Sequence, residues 1–196
     1  FYNCTNLKRV TLPEGLTAIG ANCFRQCSQL ESIELPSSVR TLDIYAFYGC
    51  KSLTSVVIPE GVEAIPRFIF DSCTALTDVT LPSTLKSIGT EAFEATGLKE
   101  ITIPESVTSV EAAVFKNCKS LERIQFPDAL TAIPANLCNA CSALTTINMP
   151  SKLETVGNDA FYNCGKLQDV TFPETLKSLD ERSFGGCSAF TRIIID

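Results

Sequence analysis

The sequence predicts a solenoid of short stacked repeats, with a parallel β-sheet on one face and short strands or helical turns on the other. Three observations lead to this prediction. One apolar pattern recurs about every 23 residues, each copy contains the alternating apolar residues of a half-buried strand, and a proline follows that strand in eight copies. Because a unit of 23 residues cannot bury a sufficient core alone, the copies are expected to be stable only when stacked.

The repeat is numbered here from its first apolar residue, called position 1. Successive position-1 residues are 23 apart except for one step of 22; they are Leu7, Leu30, Leu53, Leu76, Leu98, Leu121, Leu144, Leu167 and Phe190. Residues 1–196 are therefore predicted to form a single domain of eight complete repeats, one of them shortened, with partial repeats at both ends. The chain starts at position 18 and stops at position 7, where Asp196 replaces the proline, and we expect a fragment of a longer chain.

The elements follow in order along each repeat. Position 4 is Val or Ile and position 6 is apolar, which indicates a strand that the proline at position 7 ends. Positions 10 and 13 carry a second apolar pair that forms the returning wall. From there the apolar positions 13, 17 and 21 have the spacing of one or two short helical turns.

The tetrapeptide FYNC at 1–4, repeated as FYGC at 47–50 and FYNC at 161–164, occupies positions 18 to 21. It recurs because each repeat places one Phe and one Cys in the same two slots of a stacked core. Equivalent cysteines would lie about 4.8 Å apart with parallel side chains, which keeps their Cβ atoms farther apart than the roughly 3.5–4.5 Å of a disulfide. The ten cysteines are therefore predicted to be reduced, buried and to act as small hydrophobes.

The unit LxxIxLPxxLxxIxxxAFxxCxx resembles the leucine-rich repeats of the BspA-like class, also described from treponemal surface proteins. Two segments show it well: LTSVVIPEGVEAIPRFIFDSCTA at 53–75 and LERIQFPDALTAIPANLCNACSA at 121–143. The resemblance implies a right-handed leucine-rich repeat solenoid of the α/β repeat class. It also implies extracellular or cell-surface display and adhesion to a host protein or to other microbes.

Composition bears on several classes of function. The net charge of −6 argues against nucleic acid, and without an apolar run near 18 residues no membrane insertion is expected within this chain. The absence of histidine removes Ser-His-Asp and Cys-His nucleophile pairs, and no phosphate-binding glycine motif is present. No cofactor or metal is expected. The CxxC pair Cys138 and Cys141 is interpreted as two core residues, because Cys138 replaces the usual Phe.

Outward strand positions 3 and 5 supply the first candidate binding surface. The candidate residues are Arg9, Thr11, Glu34, Val57, Asp78, Thr80, Glu100, Thr102, Arg123, Gln125, Asn148, Asp169 and Thr171. Repeat proteins commonly bind through such a face, although short polar β-formers are also what any solvated sheet needs.

A second candidate is an apolar patch at positions 15, 16 and 19 of two neighbouring repeats. It contains Ile44, Tyr45, Tyr48 and Phe68, with Tyr45 and Phe68 predicted to stack side by side. One hypothesis makes these rings an anchor for a partner or a second copy of the chain. The alternative packs them over the repeat edge as part of the structure.

The leading hypothesis is therefore a non-enzymatic, surface-displayed interaction or adhesion module that binds a host protein or a glycan. The alternative is a structural spacer of a surface protein with no ligand of its own, and an enzyme or inhibitor module ranks last. End-to-end self-association through exposed apolar ends is a further expectation.

Overall fold

Each repeat forms a strand at positions 3 to 5 and a second strand at positions 12 and 13. The computed structural model describes residues 1–195; Asp196 lies outside the described residues. Strands of the first face are β1 (Arg9–Val10), β3 (Ser32–Ile33), β5 (Ser55–Val57), β7 (Asp78–Thr80), β9 (Glu100–Thr102), β11 (Arg123–Gln125), β13 (Thr146–Ile147), β15 (Val170–Phe172) and β17 (Ile193–Ile195). Strands of the second face are β2 (Ala18–Ile19), β4 (Thr41–Leu42), β6 (Ala64–Ile65), β8 (Ser87–Ile88), β10 (Ser109–Val110), β12 (Ala132–Ile133), β14 (Thr155–Val156) and β16 (Ser178–Leu179).

All pairing is parallel and joins equivalent positions of neighbouring repeats, as in Arg9 with Ser32 and Ile19 with Leu42. On the first face the paired groups are β1–β3, β5–β7, β9–β11–β13 and β15–β17. On the second face they are β2–β4, β6–β8–β10 and β12–β14–β16. The parallel sheet on one face and short strands on the other are as predicted.

The third side of each coil is built from turns, and here the prediction was wrong. No helix occurs in residues 1–195, so the fold is an all-β solenoid and neither the helical turns nor the α/β class holds. Positions 16 and 20 lie in the left-handed region in every repeat, with φ of 53–60° and 54–75°. A left-handed residue at such close intervals prevents a right-handed helical turn, which explains the difference.

These turns also carry a ladder of their own between neighbouring coils. The N–H of Phe24 donates to the carbonyl of Ala46 at 2.7 Å, and the N–H of Phe47 donates to the carbonyl of Ile69 at 3.0 Å. Backbone groups on all three sides of a coil are thus bonded to the neighbouring coils. This satisfies buried backbone polar groups without any helix.

The buried residues form one continuous core cluster in which each slot holds equivalent residues. Phenylalanines of position 18 stack face to face, with ring centroids 5.3–5.8 Å apart and interplanar angles of 3–12° from Phe1 to Phe115. Cys138 interrupts the column, and Phe161 and Phe184 resume it at 5.0 Å. Each stacked pair contributes about 0.5–1.5 kcal/mol beyond its buried area.

The position-21 cysteines have a second role that the hydrophobic pattern did not reveal. The Cys50 thiol donates to the Phe24 carbonyl of the preceding coil at 3.1 Å, and the Cys73 thiol donates to the Phe47 carbonyl at 3.1 Å. The same bond recurs at 3.0–3.2 Å from Cys27, Cys118, Cys141, Cys164 and Cys187. The residue is therefore a small buried group that also ties one coil to the next.

We expect most of the ten free cysteines to be unreactive in the folded protein. The prediction of burial holds for eight of the ten cysteines and is wrong for two: Cys4 is exposed and Cys23 is half-buried. Burial raises the pKa of the Cys50 thiol to about 12 and that of Cys187 to about 11, so almost no thiolate forms at pH 8. Titration with a thiol reagent at pH 8 should find at most two fast-reacting groups in the native chain and ten in denaturant. Fast reaction of five or more native thiols would contradict the buried ladder.

Candidate interaction surfaces

The first face is the surface formed by the outward side chains of positions 3 and 5. Parallel pairing places Glu100, Arg123 and Thr146 side by side, with Thr102 beside Gln125 in the second row. All thirteen predicted residues of this face except Asn148 are exposed, including Val57 at 63% of its surface. The structure thus brings the sequence-predicted set together as two parallel rows on one surface.

Two members of the set, Asn148 and Asp169, form hydrogen bonds to the backbone of neighbouring coils. The Asn148 side chain accepts from the Phe126 N–H at 2.8 Å and donates to the Phe126 carbonyl at 3.0 Å. Asp169 accepts from the Thr191 N–H at 2.9 Å and from the Arg192 N–H at 3.2 Å. These groups fasten neighbouring coils to one another, so they are less available to a partner than the rest of the face.

The aromatic patch consists of Ile44, Tyr45, Tyr48 and Phe68, and all four side chains are half-buried. Tyr45 and Phe68 stack as predicted, with centroids 4.9 Å apart and an interplanar angle of 4°. Tyr48 meets Tyr45 edge-on at 5.7 Å. Because the stacked rings cover each other's faces, much of their apolar area is already used within the chain.

Arg25, which the sequence pattern did not single out, covers the other side of the patch. Its guanidinium lies 4.9 Å from the Tyr45 ring centroid and 5.0 Å from that of Tyr48. One guanidinium nitrogen also donates to the Asn22 side chain at 3.1 Å. These cation–π contacts are each worth about 0.5–1 kcal/mol at a partly exposed site, and they favour the structural interpretation of the patch.

Replacing both Tyr45 and Phe68 with Asn should destabilise the protein by about 1–2 kcal/mol, part of the cost of truncating a fully buried aromatic. Asn is chosen because position 16 is Asn in two other repeats, Asn22 and Asn136, at the same left-handed φ. The measurement is the urea midpoint, with Asn136→Ser as the matched control. An unchanged midpoint together with weaker self-association would instead support the docking hypothesis.

A group of three carboxylates lies beside the patch on the turn side. Asp71, Glu91 and Glu94 each place a carboxylate oxygen within 4.8 Å of the others. Asp71 is 8% exposed and accepts from the Ser72 hydroxyl at 2.8 Å. Glu94 lies 3.5 Å from the Lys116 ammonium. The sequence reading missed this cluster, since its members come from positions 16 and 19 of different repeats.

Two of the three carboxyl groups have a pKa above the ordinary value. Burial, followed by the hydrogen bond and the repulsion from Glu94, raises the pKa of Glu91 to about 7, and burial raises the pKa of Asp71. Three oxygen donors are the chemistry that hard cations such as Ca²⁺ prefer. Here the Lys116 ammonium already lies beside Glu94, and the raised pKa values of Glu91 and Asp71 mean that this environment disfavours three negative charges. We assign the cluster no metal.

Glu91 should make the protein less stable as pH rises. Its pKa is higher when folded than the ordinary 4.5, so its contribution is fully present below pH 4.5 and is lost as pH rises through about 7. Glu91→Gln should therefore exceed the wild type in unfolding free energy by about 1 kcal/mol at pH 8, a figure reduced for solvent exposure, and by little at pH 4. Urea unfolding at both pH values tests this, with the exposed Glu63→Gln as control. Equal pH slopes in all three proteins would refute it.

The ends of the described solenoid expose apolar side chains. Phe1 and Tyr2 are 64% and 62% exposed at one end, and Ile193 and Ile195 are 54% and 66% exposed at the other. End-to-end association stays a prediction. In residues 1–195 no helix has the length and apolar character needed to span a bilayer.

Comparison with known proteins places this architecture among bacterial repeat proteins. A family model described as "BspA type Leucine rich repeat region" matches residues 1–122 and 109–196, with six copies. A leucine-rich repeat protein from Bacteroides ovatus is 34% identical, with a TM-score of 0.86 over 91% of this chain and 48% of that one. The chain thus spans about half the length of that relative.

Two further solved structures are similar. The leucine-rich repeat protein of T. pallidum is 27% identical, with a TM-score of 0.76 over 81% of this chain and 77% of that chain. A leucine-rich cell surface protein from Faecalibacterium prausnitzii is 24% identical, with a TM-score of 0.58 over 100% of this chain and 75% of that chain. At this level of identity the likeness shows the fold alone. No curated protein matches the sequence significantly.

Proposed function

Because the chain belongs to the BspA-type leucine-rich repeat family, as the repeat pattern predicted, we propose that it is a non-enzymatic protein-interaction module that binds its partner through the first face. The family is generally a scaffold without catalysis, and its members build a binding surface from positions that the core leaves free. The partner belongs to the class of host proteins or glycans. The family resemblance also implies extracellular or cell-surface display, which is part of the proposal.

The observation that carries the proposal is the contrast between conserved slots inside the coil and varied side chains on the first face. Core slots repeat the same residue type, whereas position 3 changes from Arg9 to Asp78 to Arg123 along the row. Position 5 is Thr in four coils but also carries Glu34 and Gln125. These side chains are exposed and lie on, or directly after, strands that parallel ladders hold in place. A rigid surface with a non-repeating pattern can recognise a partner with little ordering cost.

The second face differs in a way that favours the first. Its outward position 12 carries only small residues, such as Ala18, Thr41 and Ser109. Small side chains offer few directional groups and little area to a partner. The second face therefore supplies a matched control surface on the same molecule.

We expect Glu34→Ala, Thr80→Ala, Thr102→Ala and Gln125→Ala together to weaken partner binding at least ten-fold, about 1.4 kcal/mol, without lowering the melting temperature. All four side chains are exposed. The probes are a panel of host extracellular-matrix proteins and a glycan array, read by biolayer interferometry and fluorescence.

The control carries Thr41→Ala and Ser109→Ala on the second face and should bind as the wild type does. Wild-type binding that survives the first-face changes would move the site elsewhere on the chain. A wild type that binds none of the probes would favour the spacer alternative.

A further inference from the structure

The shortened repeat at 76–97 is the one place where the coil departs from its regular path. Two residues normally join the Cys slot to the next position 1, as Ser28 and Gln29 do, but here only Gly97 lies between Thr96 and Leu98. A Cβ on Gly97 would stand 2.6 Å from the Thr74 carbonyl oxygen. The tightened connection therefore runs directly against the preceding coil, and only glycine fits there.

Beside this tightened connection, one bond of the backbone ladder at the margin of the first face is missing. At position 2 the N–H of most coils donates to the position-2 carbonyl of the previous coil, as from Glu31 to Lys8 at 3.0 Å and from Glu122 to Lys99 at 2.7 Å. The same bond links Thr77 to Thr54 at 3.0 Å. The Thr191 N–H donates instead to the Asp169 carboxylate at 2.9 Å. In the described chain no such bond joins Lys99 to Thr77. β7 and β9 also fall into separate paired groups, as β3 and β5 and β13 and β15 do between repeats of regular length.

A polar recess opens at this interruption. Its lining includes the Thr77 and Thr145 hydroxyls and five charged side chains, which are Asp78, Lys99, Glu100, Glu122 and Arg123. Lys99 and Glu122 hold position 2 of adjacent coils, and Glu100 and Arg123 hold position 3 beside them. The four charges therefore alternate in sign like the squares of a checkerboard.

Asp78 accepts from the Thr77 hydroxyl at 2.9 Å, but within residues 1–195 the other four charged side chains form no hydrogen bond. Elsewhere equivalent positions of adjacent coils form ion pairs, such as Lys177 with Glu154 at 2.8 Å. Within residues 1–195 none of the five charged groups of the recess forms an ion pair, although opposite signs are adjacent. The recess thus combines a missing backbone bond with four charged side chains, those of Lys99, Glu100, Glu122 and Arg123, that remain available to a partner.

We propose that this recess binds an extended polypeptide segment of a partner protein that carries basic and acidic side chains in alternation. The proposal rests on the proposed function and names the site and the chemistry of the partner. The segment's main chain would meet the Lys99 N–H and the Thr77 carbonyl at the gap, and its side chains would meet the alternating charges. Binding involves no covalent step.

The lining favours a polypeptide over other ligands. A simple cation or anion would meet charges of both signs, which weakens its binding. No aromatic side chain lines the recess, so a sugar ring would have no surface to stack on. A peptide supplies main-chain donors and acceptors together with both charge signs, and opposed checkerboards discriminate against segments of a single charge.

The test is a titration of the ¹⁵N-labelled chain, followed by NMR, with four synthetic peptides of about eight residues. One alternates Lys and Glu, one contains only Lys as charged residue, one only Glu, and one is neutral. The alternating peptide should shift the amide signals of Lys99, Glu100 and Glu122 and bind at least ten-fold more tightly than the other three. Equal affinities, or no shift of these signals, would overturn the proposal.

Two variants locate the effect. Inserting one Ser between Thr96 and Gly97 restores a 23-residue repeat and should abolish binding of the alternating peptide; Lys99→Ala with Arg123→Ala should weaken it at least ten-fold in a chain whose fold the spectrum verifies. Lys51→Ala with Lys86→Ala, two exposed lysines outside the recess and the first face, should leave binding of the alternating peptide unchanged. Equal binding by the Lys99/Arg123 variant and the wild type would refute the site. Matrix-protein binding through Glu34, Thr80, Thr102 and Gln125 is measured separately, so the recess can fail while the proposed function stands.

Discussion

The coils of this solenoid must stack in register, and nearly every other property follows from that constraint. The ladders bring each residue directly against its equivalent about 4.8 Å away, so like side chains meet like. This arrangement suits residues that pack on copies of themselves, such as the flat rings of position 18. It also suits a thiol, which is small and can donate to the carbonyl of the coil before it.

Stacking in register is less suitable for charges, because identical charged residues would repel along a column. The chain often avoids this by alternating sign between adjacent coils. Lys8 lies 3.8 Å from Glu31, and Arg182 lies 2.9 Å from Asp159. The carboxylates at Asp71, Glu91 and Glu94 depart from this alternation, and burial, together with the neighbouring Glu94 carboxylate, raises the pKa of Glu91.

The turn side shows how far the repeat can vary before its geometry opposes the change. Position 16 needs a left-handed residue, and Asn22 and Asn136 adopt that conformation with little strain. Tyr45 and Phe68 adopt it too, although large side chains are disfavoured there. Their stacking with each other and the contact of Tyr45 with Arg25 offset that strain, which favours a structural role for the patch.

The sequence alone determined the repeat, its phase, the residues of the core and the two faces, because burial at fixed spacing leaves a direct record in residue type. It also determined the stacking of Tyr45 on Phe68, since equivalent positions must meet. Only the tertiary structure decided that positions 14 to 21 are turns rather than helix. Their left-handed residues include Tyr45, Glu91 and Ala113, and these residue types do not indicate a left-handed conformation in the sequence. It alone revealed the thiol bonds, the role of Arg25 and the recess beside Lys99. These depend on contacts between one coil and the next, and the spacing of residues within a repeat does not encode which polar groups of neighbouring coils find each other.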